Sequence, residues 1–168
     1  MNLVAIMMDD LETARNARVE VANMASEHLV QLEDAVVVYK EGGDVKLDQA
    51  VNLTAAGAMG GAWWGVLIGA MAGILTGGAG LALAGMAGGA AGGALGGWLS
   101  DAGISDEMMT KTADALDNDK AILFLMGRTG APDKVLERLA PFGGEVVTSN
   151  LSEDMDKKIN DALAKGTG

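Results

Sequence analysis

Few side chains in this sequence could carry covalent or acid–base chemistry, and none is placed beside a partner. His28 is the only imidazole and cysteine is absent. That removes disulfides, thiolate nucleophiles, thiolate metal sites and any multi-histidine centre within one subunit. His28 falls near the end of an expected helix, where a solvent-facing place at the C-terminal dipole suits it. Asp9-Asp10 could bind a cation, but a carboxylate ahead of an apolar helical pattern is better read as an N-cap. Gly127-Arg128-Thr129-Gly130 follows an apolar strand as a phosphate loop would, yet no Gly-Lys-Ser/Thr comes after it and Ala131-Pro132 simply opens a helix. Glu153, Asp154 and Asp156 with Lys157 and Lys158 read as a solvated helical face. The 11 methionines fall in apolar strands and helices, which favours packing over a metal array. No nucleophile–base pair is visible. The chain reads as no enzyme, with no catalytic residue, no cofactor and no metal site.

The informative spacing belongs to glycine. Gly57, Gly61, Gly65, Gly69, Gly73 and Gly77 recur every four residues, and Gly85, Gly89, Gly93 and Gly97 repeat the register, with Gly88, Gly92 and Gly96 as an adjacent ridge. Residues four apart share a helix face, so each series makes a groove without side chains that a second helix can approach closely. Glycine in a helix interior costs about 1 kcal/mol relative to alanine, so two strict registers need a packing reason. A four-residue step also drifts about 40° around a helix, which winds the first series about its axis and favours an inclined crossing or more than one partner. One ridge of the second helix is expected on its hairpin partner and the other on a neighbouring subunit. These glycines are the expected helix-packing and oligomerisation residues, with Trp63, Trp64 and Trp98 lipid-facing or interfacial.

These glycines occupy a segment unlike its flanks. No charged residue occurs from Gln49 to Ser100, and 16 of the 47 residues of Thr54–Ser100 are Gly and 13 are Ala. The flanks hold all 23 acidic and 12 basic residues, for a net charge of −11, which argues against nucleic acid as a partner. A bilayer-spanning helix needs about 20 apolar residues. Thr54–Thr76 and Leu81–Ser100 each supply that length, with Gly77-Gly78-Ala79-Gly80 as the break between them. A transmembrane hairpin would return both flanks to one side, and Lys40, Lys46, Lys111 and Lys120 on the flanks agree with that side being the cytoplasm. The opening run Leu3–Met8 is short and meets Asp9-Asp10 at once, unlike a signal peptide. Two other readings of the insert are a flexible linker, which its Trp, Leu, Ile and Met content opposes, and a soluble hairpin buried in a lipid-free assembly.

The flanks pattern as one α+β domain. Leu3–Met8 reads as a buried strand, Asp10–Val30 as a helix, Ala35–Tyr39 as a β-branched strand and Val45–Leu47 as a short strand after a Gly42-Gly43 turn. Beyond the insert come a helix from Ser105 or Asp106 to Leu116, a strand Ala121–Met126, a helix Pro132–Ala140, a strand Glu145–Ser149 and a terminal helix capped by Ser152. This order predicts a ferredoxin-like sandwich interrupted by a glycine-zipper α-helical hairpin. Residues 1–53 form the first part of the domain, 54–100 the hairpin and 101–168 the second part with the terminal helix.

The runs Leu32–Leu53 (LEDAVVVYKEGGDVKLDQAVNL), Thr54–Ala58 (TAAGA), Gly61–Gly65 (GAWWG) and Pro132–Gly144 (PDKVLERLAPFGG) together resemble a bacterial family of glycine-rich membrane proteins, domain-of-unknown-function family 1269. The resemblance implies a bacterial membrane-associated protein. It transfers no activity and no active-site residue.

The function expected from all this is a non-enzymatic, membrane-embedded homo-oligomeric scaffold in the inner membrane, both termini cytoplasmic, with membrane shaping as an extension. Its partners are other copies of itself and membrane lipid. A small oligomeric channel is the alternative, weakened by an insert whose Thr54, Thr76 and Ser100 lie near its ends. A lipid-free self-assembling particle, or a ligand sensor built on the folded flanks, is the second alternative. No polar cluster marks a ligand pocket in the sequence.

Overall fold

The computed structural model describes residues 2–42, 44–49, 111–112, 114–116 and 119–166. In chain order these form β1 (Asn2–Met8), α1 (Leu11–Ser26), β2 (Val30–Glu41), β3 (Asp44–Gln49), β4 (Ala121–Thr129), α2 (Pro132–Leu139), a 3-10 turn (Ala140–Phe142), β5 (Glu145–Ser149) and α3 (Glu153–Gly166). Residues 111–112 and 114–116 are helical. The expected hairpin at 54–100 and the start of the expected helix at Ser105 or Asp106 lie outside the described residues. No helix among the described residues is long and apolar enough to cross a membrane.

The five strands make one sheet in the order β3-β2-β4-β1-β5. Every neighbouring pair is antiparallel. The two strands joined by α1, β1 and β2, lie on either side of β4, which arrives only after the long insert. The first and second parts of the chain therefore share one sheet.

Strand β1 from Leu3 onward, the first half of β4 and the Ala35–Tyr39 stretch of β2 are continuously apolar because both faces of the sheet are covered there. On one face Ile6, Met8, Val37 and Leu123 pack with Ala14, Ala17, Val21 and Met24 of α1 and with Leu139, Ile159 and Leu163. On the other face Leu3, Ala5, Val36, Val38, Ile122 and Phe124 pack with Ala115 and Leu116. In-register rows such as Ile6–Leu123–Val37 and Ala5–Phe124–Val36 keep the two sets apart.

Local chemistry sets the element ends. Asp10, in extended backbone, caps α1 by accepting the Thr13 N–H at 2.7 Å. The helix stops at Ser26, short of the expected Val30, because His28 takes the left-handed conformation at φ 61°. The His28 N–H then donates to the Ala25 carbonyl and the Leu29 N–H to the Met24 carbonyl, the paired closure of a Schellman ending. Leu29 and Val30 are turned away from the helix, and β2 begins at Val30 instead of Ala35.

The early part of β2 alternates in burial, and it pairs with an extended β4 that reaches Thr129 instead of Met126. A bulge between Leu32 and Asp34 interrupts that pairing opposite Gly127. A side chain at Gly127 would put Cβ 2.4 Å from the Gln31 carbonyl oxygen, so the bulge requires glycine there.

At the other edge of the sheet, α3 closes β5. The Val146 N–H donates to Asn160 Oδ1 at 2.8 Å, and the Ser149 hydroxyl bonds the Asp156 carboxylate. Covering an edge with a helix removes a free strand-pairing surface. Gly144, at φ 109°, makes the turn into β5, with its α-carbon so near the Met7 carbonyl that a Cβ would lie 2.6 Å from the oxygen.

Candidate functional site

The expected packing residues, Gly57 through Gly97, and Trp63, Trp64 and Trp98 all lie outside the described residues. What the structure does present is the joint at which the chain departs for that segment and comes back. Gln49 pairs with Val36, which pairs with Phe124, so the last residue of β3 stands level with Phe124 two strands away. The return strand begins at Ala121. Two strand spacings across and three residues along put departure and return about 14 Å apart. The returning helical residues Ala115 and Leu116 pack on the face opposite α1.

At the departure point, Asp48 binds two arginines of α1. Arg15 Nε donates to Asp48 Oδ2 at 2.7 Å. Arg18 donates to the Asp48 carbonyl at 2.5 Å, with Asp48 Oδ1 3.2 Å from the same nitrogen. Arg15 also lies over the Tyr39 ring, 5.8 Å from its centroid, in cation–π range. The environments differ: the Arg18 residue is 7% exposed, whereas the Arg15 side chain is 46% exposed. Arg18 Nε is buried without a hydrogen-bond partner. Burial pushes the Asp48 carboxyl up, but hydrogen bonds from Arg15 and Arg18, with their charges, outweigh it and hold the group below its ordinary value. Sequence reading did not single out this cluster. Two arginines three apart on one helix face were its available signal, and nothing in the spacing pointed to Asp48.

The residues examined for chemistry have structural employment. Asp10 is the α1 cap and Asp9 pairs with Lys120 at 3.2 Å. His28 is exposed at the end of α1, as its sequence position suggested. Gly127, Arg128 and Thr129 belong to β4, and the Thr129 hydroxyl donates to the Leu29 carbonyl while accepting the Ala131 N–H. Asp156 departs from its expected place on a solvated face, because it bonds Ser149 at the β5 edge. No group of three or more His, Asp or Glu placed to hold a metal ion occurs among the described residues.

A second feature is an apolar cleft of about 190 Å³ between the sheet and the helices. Val4, Ile6, Leu32 and Leu125 contribute to its floor; Val135 and Leu136 of α2 and Met155 of α3 contribute to its roof. Its cause is a mismatch of lengths. The eight residues of α2 span about 12 Å, while the nine of β4 span about 30 Å. The short helix leaves the strand ends partly uncovered. An apolar cavity leaves no polar cluster in the sequence; its local signal is a short amphipathic helix, Pro132–Leu139, following the long apolar strand β4.

The fold and the joint together define an α+β protein with a five-stranded antiparallel sheet, interrupted between β3 and β4 by a long glycine-rich, charge-free segment. The chain belongs to the family described as protein of unknown function (DUF1269), whose model matches residues 58–164. The match runs from the glycine-rich segment through most of α3, so the Leu32–Leu53 run lies ahead of it. No curated protein and no solved structure matches the chain.

Proposed function

We propose that this protein is a non-enzymatic, membrane-embedded homo-oligomeric scaffold. In this reading, glycine-zipper helices at 54–76 and 81–100 form a transmembrane hairpin, and an acidic ferredoxin-like domain sits on the cytoplasmic side of a bacterial inner membrane. Copies associate through the four-residue glycine registers, and lateral repetition of the domains shapes the membrane. The observation that carries the reading is the charge-free run from Gln49 to Ser100 in a chain of net charge −11. Charged side chains are strongly disfavoured at the bilayer centre, and close helix packing there uses small residues.

The topology is compatible with it. Strands β3 and β4 are separated only by β2, so a segment that leaves from one and returns to the other must double back. The return to β4 runs through residues 101–120, of which 111–112 and 114–116 are helical, so the strand ends leave room for a hairpin that closes on the same side. The split order of β1, β2, β4 and β5 is that of a ferredoxin-like sheet, with β3 added beside β2.

Alkaline-carbonate washing of membranes from cells making the chain tests the proposal. Retention in the pellet, followed by a defined oligomer in mild detergent, is the expected result. Release as large soluble particles would mean that the glycine helices bury one another without lipid, and the membrane reading would fall. Assembly in liposomes without ion leakage separates a scaffold from a pore.

A further inference from the structure

We propose that α2 is a lid over the apolar cleft, opening as a local unit while the rest of the domain stays folded, and that Arg138 is its latch. Length comes first. Isolated helices shorter than about 12–15 residues are marginal in water, so the eight residues of α2 depend on the contacts they make. Leu139, at the C-terminal end, is the one buried residue of the helix. Val135 and Leu136 line the cleft of about 190 Å³, so the middle of α2 rests on a void. Side chains beside a void lack the dispersion contacts that a filled core supplies.

The two ends of α2 are held unequally. Beyond its C-terminus the Ala140 carbonyl lies against Gly166 of α3, so close that a Cβ there would be 1.4 Å from the oxygen. At the N-terminus Ala131 gives no side-chain cap, and a Cβ on Gly130 would meet nothing within 4 Å. An exposed bond from the Ala131 N–H to the Thr129 hydroxyl, at 3.0 Å, is the restraint at that end. Polar ties to α1 come from Arg138 alone. Its Nε donates to Glu20 at 2.5 Å and its Nη1 to Glu27 at 2.6 Å, so one guanidinium joins carboxylates about two turns apart on α1. The other ion pair of α2 among the described residues, Asp133 with Lys158 at 3.8 Å, is largely exposed and contributes little. Releasing Arg138 lets the Pro132 end swing outward about the Leu139–Ala140 joint, which uncovers Val21, Leu32 and Leu125. The inference does not rest on the proposed membrane scaffold.

The chain has no cysteine, so one introduced thiol reports opening in the full-length protein in lipid nanodiscs. Val21 is buried and lines the cleft, whereas Val37 is buried in the same core outside it. A neutral maleimide should label Val21→Cys at least about tenfold faster than Val37→Cys, because local opening needs less free energy than global unfolding. Low urea should speed labelling of Val37→Cys steeply and of Val21→Cys hardly at all, since a small opening exposes little surface. Arg138→Gln should speed labelling of Val21→Cys about fivefold, the scale of a partly shielded ion pair, and Lys158→Gln should leave it unchanged. Asp48→Ala, which weakens a contact outside the lid, should speed Val37→Cys alone. Amide exchange in the chain without thiols is the second measure, with Val135–Leu139 exchanging ahead of Leu123 and Leu125 of β4. Equal labelling of the two thiols with equal urea dependence would overturn the lid, because the cleft would then open only with the whole domain. An unchanged Val21→Cys rate in Arg138→Gln would overturn the latch.

Discussion

Arg18 of α1 grips Asp48 of β3 twice, donating to its backbone carbonyl at 2.5 Å and standing 3.2 Å from its carboxylate. This contact ties the first helix to the last strand before the glycine-rich segment. A buried guanidinium is tolerated only while its partners stay in place. Asp48→Ala is expected to destabilise the domain by about 2 kcal/mol, a value reduced because the carboxylate is one-quarter exposed. Arg18→Met, which replaces the charge by an apolar chain of similar length, should cost less. Thermal unfolding of both single variants and the double variant checks the order.

The same carboxylate gives an acid dependence with a definite sign. Its folded-state pKa lies below the ordinary 3.8, so its stabilising contribution is fully present above that value and is lost as pH falls through the depressed one. Asp48→Asn should flatten this portion of the stability profile below about pH 4 and leave its shape near neutrality unchanged. Unfolding midpoints measured from pH 2 to 7 provide the comparison.

Asn160→Ala should uncover the β5 edge. The Val146 N–H loses its acceptor, at a cost of about 1 kcal/mol, and becomes available to another strand. Faster hydrogen exchange at Val146 is expected, together with concentration-dependent association that Asn160→Gln produces less strongly. Unchanged exchange would show that α3 protects the edge by other contacts.

His28→Gly should stabilise the protein by roughly 0.5–1 kcal/mol, because φ 61° strains any residue with a Cβ. His28→Val should do the reverse, since a β-branched side chain fits that region worst. Both are read from denaturant midpoints at fixed pH.

For the proposed assembly, Gly65→Leu and Gly69→Leu should reduce the oligomer in mild detergent, whereas Ala70→Leu, off that register, should affect it less. Cross-linking before and after solubilisation distinguishes lost packing from lost membrane insertion. Equal effects at all three positions would argue against a glycine-face interface.

Much of the folded part was legible because burial writes a simple pattern. The strand Glu145–Ser149 has its expected bounds, and the strands beginning at Leu3 and Ala121 are found within a few residues of theirs. Leu29 and Val30 continue the apolar spacing of α1, and only the left-handed turn at His28 assigns them elsewhere. Gln31 and Glu33 break the apolar run of β2, yet pairing with β4 accommodates them at exposed positions.

The sequence by itself determined the α+β character, the acidic flanks, the order of the described elements and the isolation of every charge outside the glycine-rich segment. These depend on local periodicity and composition, which need no knowledge of distant neighbours. Tertiary structure alone decided that Asp48 meets Arg15 and Arg18, that α3 guards β5, and that a short α2 leaves an apolar cleft. Each is a contact or a gap between elements far apart in the chain. Its energy depends on which surfaces meet in space, and no local spacing records that choice.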